Sequence, residues 1–245
     1  MFRACRNVSS YRRSWVLLVG CVGVTVISGC ITSGPGEYGV SAEVRDLELT
    51  MCPDGMIDDA EDNNTQINVV GERNGYWFTF KYEVGSTVDP DGEFHMSEGG
   101  PEGSRFSARM KGTMAAGAQN VYPYVGMGFN FSNPKAPFDA GKAQGIQFWA
   151  KGPGRVRFKT PDIMTDPAGD LCTNCYNDFG VDIFLSETWQ RYTVPFAKLE
   201  QQAGWGDRAP RVAKDKLFAA QWQFGTASKD YDIGVDNIAL VGCDQ

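Results

Sequence analysis

Tyr124-Val125-Gly126-Met127-Gly128-Phe129-Asn130-Phe131 is the stretch whose reading decides the fold. Val125, Met127, Phe129 and Phe131 fall on one side of a two-residue zigzag, and Tyr124, Gly126, Gly128 and Asn130 on the other. An apolar face of that period belongs to a half-buried strand; on a helix the same four residues would be scattered around the axis.

Working outward, the same alternation recurs. Phe78 and Phe80 share one face of Tyr76–Tyr82, and Trp77, Thr79 and Lys81 the other. Phe106, Ala108 and Met110 alternate with Arg105, Ser107 and Arg109. Ile146, Phe148 and Ala150 oppose Gln147, Trp149 and Lys151, and Val156 and Phe158 oppose Arg155, Arg157 and Lys159. Further runs are 179–185, 190–196, 218–224 and 231–241, with Gly, Pro, Asn and Asp between them. No long stretch of helical period competes. Many short strands, each with one apolar face, must bury those faces against one another. The expected fold is therefore all-β, a two-layer antiparallel β-sandwich of the jelly-roll or Greek-key kind. In the last run Ile233 and Val235 keep one face, and Ile238 and Leu240 continue it three residues on. One extra residue at Asp236-Asn237 explains the slip, which predicts a β-bulge.

The N-terminus has a different character. Residues 1–29 carry Arg3, Arg6, Arg12 and Arg13 and no acid, then an apolar run from Trp15 to Ile27, then Ile27-Ser28-Gly29-Cys30. A basic start, a short apolar core and small residues at the cut describe a secretory signal, and the last four match a lipobox. The run is too short to span a bilayer comfortably. Cleavage before Cys30, with lipid on that cysteine, is the expectation. Leu18-Val19-Gly20-Cys21 fits a lipobox loosely, but cutting there would leave almost no apolar core. Residues 30–50 read as the lipidated cysteine and a flexible tether containing Gly34-Pro35-Gly36; residues 51–245 are long enough for one domain with a full core. Ile31 lacks the aspartate that retains many lipoproteins at the inner membrane, so outer-membrane placement is expected by analogy.

Losing the four arginines takes the net charge from −7 to −11. An acidic surface argues against nucleic acid as a partner and suits neutral ligands, or cations held by carboxylates. Besides Cys30, the exported chain would keep Cys52, Cys172, Cys175 and Cys243. Four cysteines in an oxidising compartment allow three pairings. Cys52–Cys243 with Cys172–Cys175 is favoured, stapling the domain's ends and cinching one loop. Zinc at Cys172 and Cys175 is the rival, but zinc wants four ligands and His95 is the only histidine.

Several segments, in order, resemble a known group: Met56-Ile57-Asp58-Asp59-Ala60-Glu61-Asp62, Gly75-Tyr76-Trp77-Phe78-Thr79-Phe80, Gly103-Ser104-Arg105-Phe106-Ser107-Ala108, Gly145–Gly152, Trp189–Phe196 and Ile233-Gly234-Val235-Asp236-Asn237-Ile238. Together they resemble jelly-roll carbohydrate-binding modules of the galactose-binding-like superfamily, over roughly residues 55–241. Ala60 stands where that family usually carries an aromatic. The resemblance implies a structural calcium held by Glu61 and Asp236 with backbone oxygens. The alternative is a solvated acidic edge. Pairing of the first and last strands would bring the acidic opening beside Asp232 and Asp236, where a cation would relieve repulsion.

A sugar site pairs aromatic rings, which stack on the C–H face of a sugar, with amides and guanidinium groups that bond its hydroxyls. Trp77, Tyr124, Asn130, Gln147, Trp149, Arg157 and Gln223 lie on the polar sides of their strands and would form such a groove if those sides shared one sheet. Trp77 and Trp149 equally suit packing under loops; Trp189 and Trp222 read as core. The long loop 161–178 would place Tyr176, and with it Asn174, near a ligand, or be a disulfide-pinned surface loop; Trp205 sits in a second loop. No nucleophile elbow, phosphate-cradling loop or two-histidine metal motif is present. Three functions remain open: a monomeric, non-catalytic polysaccharide- or oligosaccharide-binding lipoprotein, a structural or protein-binding surface lipoprotein, and a carbohydrate-active enzyme.

Overall fold

The computed structural model describes residues 44, 47–82, 84–116, 122–225 and 229–243. The leader, Cys30 and most of the tether lie outside the described residues. Among the described residues eleven strands carry the fold. They are β1 (Met51–Asp58), β2 (Trp77–Lys81), β3 (Met96–Glu98), β4 (Phe106–Thr113), β5 (Val125–Asn130), β6 (Gly145–Lys151), β7 (Arg155–Thr160), β8 (Phe179–Phe184), β9 (Gln190–Pro195), β10 (Ala219–Phe224) and β11 (Asp230–Val241). All pairings are antiparallel. One sheet runs β3-β4-β11-β6-β9, with β1 also on β11; the other runs β2-β5-β10-β7-β8. The two-layer β-sandwich expected from the alternation is what forms.

The inner faces follow the zigzag. Val125, Met127 and Phe129 of β5, Trp222 and Phe224 of β10, and Val156 and Phe158 of β7 are all buried, as are Ile146, Phe148 and Ala150 of β6 and Ile233 and Val235 of β11. Trp222 lies at the centre, its ring centroid 5.0 Å from Phe148, 5.4 Å from Phe158 and 5.9 Å from Trp77. Rings in edge-on and offset contact fill the space between the layers. β3 is not legible as a strand, because its three residues are too few to show an alternation.

The first and last strands pair, as expected, with Met56 opposite Ala239 and Asp58 opposite Ile238. The bulge falls where the phase slips. Register with β6 shifts between Asp236 and Ala239, and Asn237 has φ 48°. β1 is irregular between Met51 and Met56. The fully buried Arg73 serves that irregularity by donating to Asp54 O (2.5 Å) and Met56 O (3.0 Å), so carbonyls that leave the ladder keep a partner.

Both favoured disulfides are present. Cys52–Cys243 joins β1 to the chain just after β11 across 191 residues, and Cys172–Cys175 cinches the long loop. No helix among the described residues is long and apolar enough to cross a membrane.

Candidate functional site: an aromatic groove on the five-stranded sheet

The outer face of the β2-β5-β10-β7-β8 sheet carries a groove of about 720 Å³. Its floor depends on glycines. Phe78 and Phe80 of β2 stand opposite Gly128 and Gly126 of β5. With no side chain at Gly126, the Phe80 ring lies across that strand; a Cβ there would come within 2.2 Å of the ring. At Gly128 the same absence admits Gln221, whose Cγ is 2.8 Å from where a Cβ would be. Tyr124, Asn130, Gln223 and, on β7, Lys159 complete the sheet-borne lining. Aromatic rings gather at the β2 end and amides in the middle.

The far wall comes from loops. Residues 161–178 contribute Pro161, Asp166, Cys175, Tyr176 and Asp178, and the segment between β9 and β10 contributes Trp205. Side chains clasp these two loops together. The Asp207 carboxylate accepts from Thr173 N (2.5 Å) and Asn174 N (3.1 Å), and those two amides hold its carboxyl below the usual carboxylate range. Asn177 donates to Gln202 O and Trp205 O and accepts from Gln202 N. Tyr176 and Trp205 thus project from a wall whose backbone is tied down, so little ordering remains to oppose binding.

Two ion pairs sit in the groove. Lys159 Nζ is 2.9 Å from Asp178 Oδ2 and 5.7 Å from the Phe80 ring centroid; Lys135 Nζ is 2.5 Å from Asp166 Oδ2. Each lysine is balanced by an aspartate of the long loop.

Tyr124, Asn130, Gln223, Tyr176 and Trp205 therefore converge on one groove, while Asn174 is not part of its lining. Four expected positions require correction. Trp77 is not in the groove: it points inward, is 4% exposed, and packs on Phe94, Phe129 and Trp222. Gln147 and Trp149 belong to β6, in the other layer, and lie on its outer side, where Gln147 donates to Thr193 Oγ1. Arg157 shares the groove's face, but its guanidinium is tied to Gly180 O, Glu200 O and Asp182 Oδ1 and does not line it. Trp222 is core as expected, whereas Trp189 is only half-buried, its ring seated over Gly234. The residues missed are Phe78, Phe80, Lys135, Lys159, Asp166 and Asp178. For Phe78 and Phe80 the glycines opposite them on β5, Gly128 and Gly126, carried a signal, since a glycine opposite an aromatic makes room for it, but the pairing register was needed to read it.

A second constellation lies where β1 meets β11. Asp58 is buried and accepts from Ala60 N and Trp77 Nε1; burial pushes its pKa up to about 6. Asp236 is pushed up to about 7 by burial first, with Glu61 and Asp58 adding repulsion. Its Oδ1 accepts from Asn237 N and the neighbouring Ser104 hydroxyl favours its charged form, while no hydrogen bond to the buried Oδ2 is formed among the described residues. Glu61 is held below the usual range by Arg105, whose Nε lies 3.0 Å from Oε2, and by the amides of Phe106 and Arg105. The bare Asp236 Oδ2 fits a calcium ion. Glu61 fits it less simply, because Arg105 already balances its charge. No three His, Cys, Asp or Glu side chains converge as a metal cage among the described residues, so a calcium ion here would draw largely on backbone and solvent oxygens.

No known family profile and no curated protein matches the sequence. Among solved structures the fold is that of carbohydrate-binding modules. The family 11 module of the cellulosomal cellulase Lic26A-Cel5E of Clostridium thermocellum aligns with a TM-score of 0.55 and 17% identity, over 80% of this chain and 97% of that one. A family 11 module from the same organism, in complex with a β-1,3-1,4-mixed-linked tetrasaccharide, aligns with a TM-score of 0.54 and 18% identity, over 77% and 95%. At such identities the likeness establishes the jelly-roll sandwich alone.

Proposed function

We propose that the protein is a non-catalytic glycan-binding lipoprotein of the cell envelope, anchored through Cys30. The observation that carries this reading is the groove itself, where Phe78, Phe80 and Tyr124 offer ring surface beside the amides of Asn130, Gln221 and Gln223. Rings stack on the C–H faces of pyranoses while the amides exchange hydrogen bonds with hydroxyls. That a module of the same fold holds a mixed-linked tetrasaccharide supports the choice of ligand class. The groove's aspartates support the absence of catalysis. Asp166 and Asp178 are each engaged in an ion pair with a lysine, so neither stands as a free carboxylate beside the rings, as the acid and base of a glycosidase must.

The test is affinity electrophoresis and calorimetry with soluble mixed-linked β-glucan and other neutral polysaccharides. Phe80→Ala and Tyr124→Ala should each weaken binding about tenfold or more, with unchanged urea midpoints; Trp149→Ala, on the opposite layer, should leave it unchanged. Binding that survives the Phe80→Ala, Tyr124→Ala double variant would remove the groove from consideration. Release of reducing ends by the purified protein would replace binding with catalysis. Calcium at Asp236 and Glu61 is proposed as a structural ion remote from the groove chemistry. Anchoring is tested separately: Cys30→Ser should move the protein from the membrane to the soluble fraction.

A further inference from the structure

Groove and strand direction do not coincide. The groove runs across the sheet, from Phe80 on β2 past Gln223 and Gln221 on β10 and Lys159 on β7 to Tyr176. A second row of rings runs along β2 instead. Phe78 and Phe80 share its outer face, and the chain on either side continues the ladder: Asn130 N donates to Tyr76 O, and Tyr82 N donates to Tyr124 O. Tyr76, Phe78, Phe80 and Tyr82 therefore project from one side of one extended segment. Ring centroids step from Phe78 to Phe80 (6.1 Å), Phe80 to Tyr124 (6.2 Å) and Tyr124 to Tyr82 (6.2 Å). Tyr76 is 41% and Tyr124 38% exposed. From Tyr76 to Tyr82 the strip is about 20 Å long at the rise of an extended chain, enough for several sugar rings. Tyr76 and Tyr82 lie beyond the residues that line the groove.

Two stacking surfaces thus meet at Phe80 and Tyr124, one across the strands and one along them. A stiff linear glycan can follow only one. We propose that the strip is a second subsite that takes a branch of the glycan whose main chain lies in the groove, so that the preferred ligand is a branched, uncharged polysaccharide. The inference rests on the groove reading and adds the branch to it. Both lysines of the groove are already paired with aspartates, which suits a ligand without carboxylate or sulfate groups.

The experiment is calorimetry of the full chain in detergent, with both disulfides intact, against two probes with the same β-1,4-glucan backbone: cellotetraose, and a xyloglucan oligosaccharide carrying xylose branches. The branched probe should bind more tightly. Tyr76→Ala and Tyr82→Ala should each cost it roughly three- to tenfold, the worth of one stacked ring, while leaving cellotetraose unchanged. Phe80→Ala should weaken both. Equal affinity of the two probes overturns the branch subsite. So does a loss for branched and linear probes alike in the tyrosine variants. Length-dependent losses from Tyr176→Ala and Trp205→Ala with Tyr76→Ala and Tyr82→Ala silent would show that only the cross-strand path is used. Failure of both probes and of every other neutral glycan to bind the unmodified protein overturns the groove reading as well, and so is distinct from the first three results.

Discussion

The indole Nε1–H of Trp77 donates a 2.5 Å hydrogen bond to Asp58 Oδ2, and both side chains are buried. This bond ties β2 of one sheet to the end of β1 in the other, and it explains why a tryptophan on the polar side of its strand's pattern turns inward. The carboxylate supplies a partner that an indole needs once water is excluded.

The same buried carboxyl sets a pH dependence, which the bond to Trp77 moderates. Burial raises the Asp58 pKa to about 6 although Trp77 and Ala60 favour the charged form. The folded value lies above the unfolded 3.8, so the native state binds the extra proton. Its contribution is fully present below about pH 4 and is lost as the pH rises through 6, with Asp236 acting in the same direction near pH 7. For Asp58 the loss is on the order of 3 kcal/mol. Urea midpoints in chelator should fall between pH 4.5 and 7.5, and the fall should be smaller in Asp58→Asn. Trp77→Phe removes a donor to the charged form and should move the inflection to higher pH. A midpoint that rises over this range would contradict the assignment.

Calcium should cancel that trend. If the ion occupies the edge at Asp236, saturating calcium at about a hundredfold excess over its dissociation constant would add about 2.7 kcal/mol. That corresponds to a rise in melting temperature of roughly 5–10 °C for a domain of this size. Scanning calorimetry in calcium and in EDTA measures it. Asp236→Asn should abolish the difference; a shift that persists in that variant places the ion elsewhere.

The two disulfides should differ in weight. Loop closure gives about 5 kcal/mol for Cys52–Cys243, which spans nearly the whole domain, and about 2 kcal/mol for Cys172–Cys175. Denaturation of the Cys52→Ser, Cys243→Ser and the Cys172→Ser, Cys175→Ser double variants compares them. Only the second pair lies at the groove, so its removal should reduce glycan affinity more than stability. The opposite ranking would mean that native contacts, and not chain entropy, dominate.

Gly126 should be intolerant for a local reason. A methyl group there meets Phe80 Cζ at 2.2 Å and Trp222 O at 2.7 Å. Gly126→Ala should therefore destabilise by about 1–3 kcal/mol and lift Phe80 out of the groove floor, which weakens binding as well. Chemical denaturation and calorimetry read the two effects separately. Full binding in a destabilised variant would show that Phe80 is not a platform.

The sequence by itself determined what depends on neighbours along the chain. Alternation over 124–131 and its counterparts set the strands, because side chains in an extended chain must point to opposite sides. The phase slip at Asp236-Asn237 located the bulge, and the four cysteines of the strand-bearing region, Cys52, Cys172, Cys175 and Cys243, allowed only three pairings. Only the tertiary structure decided which side of each strand meets the core and which strands share a layer. In β2 both sides are aromatic, so composition could not choose; packing on Trp222 and the bond to Asp58 turned Trp77 inward and left Phe78 and Phe80 outside. Trp149 and Gln147 satisfy the same polar-side rule as Tyr124 and Gln223, yet the order β11-β6-β9 places them on the other layer. A strand's periodicity is local, while the face it buries is chosen by whatever lies across the sandwich, and that choice made the groove.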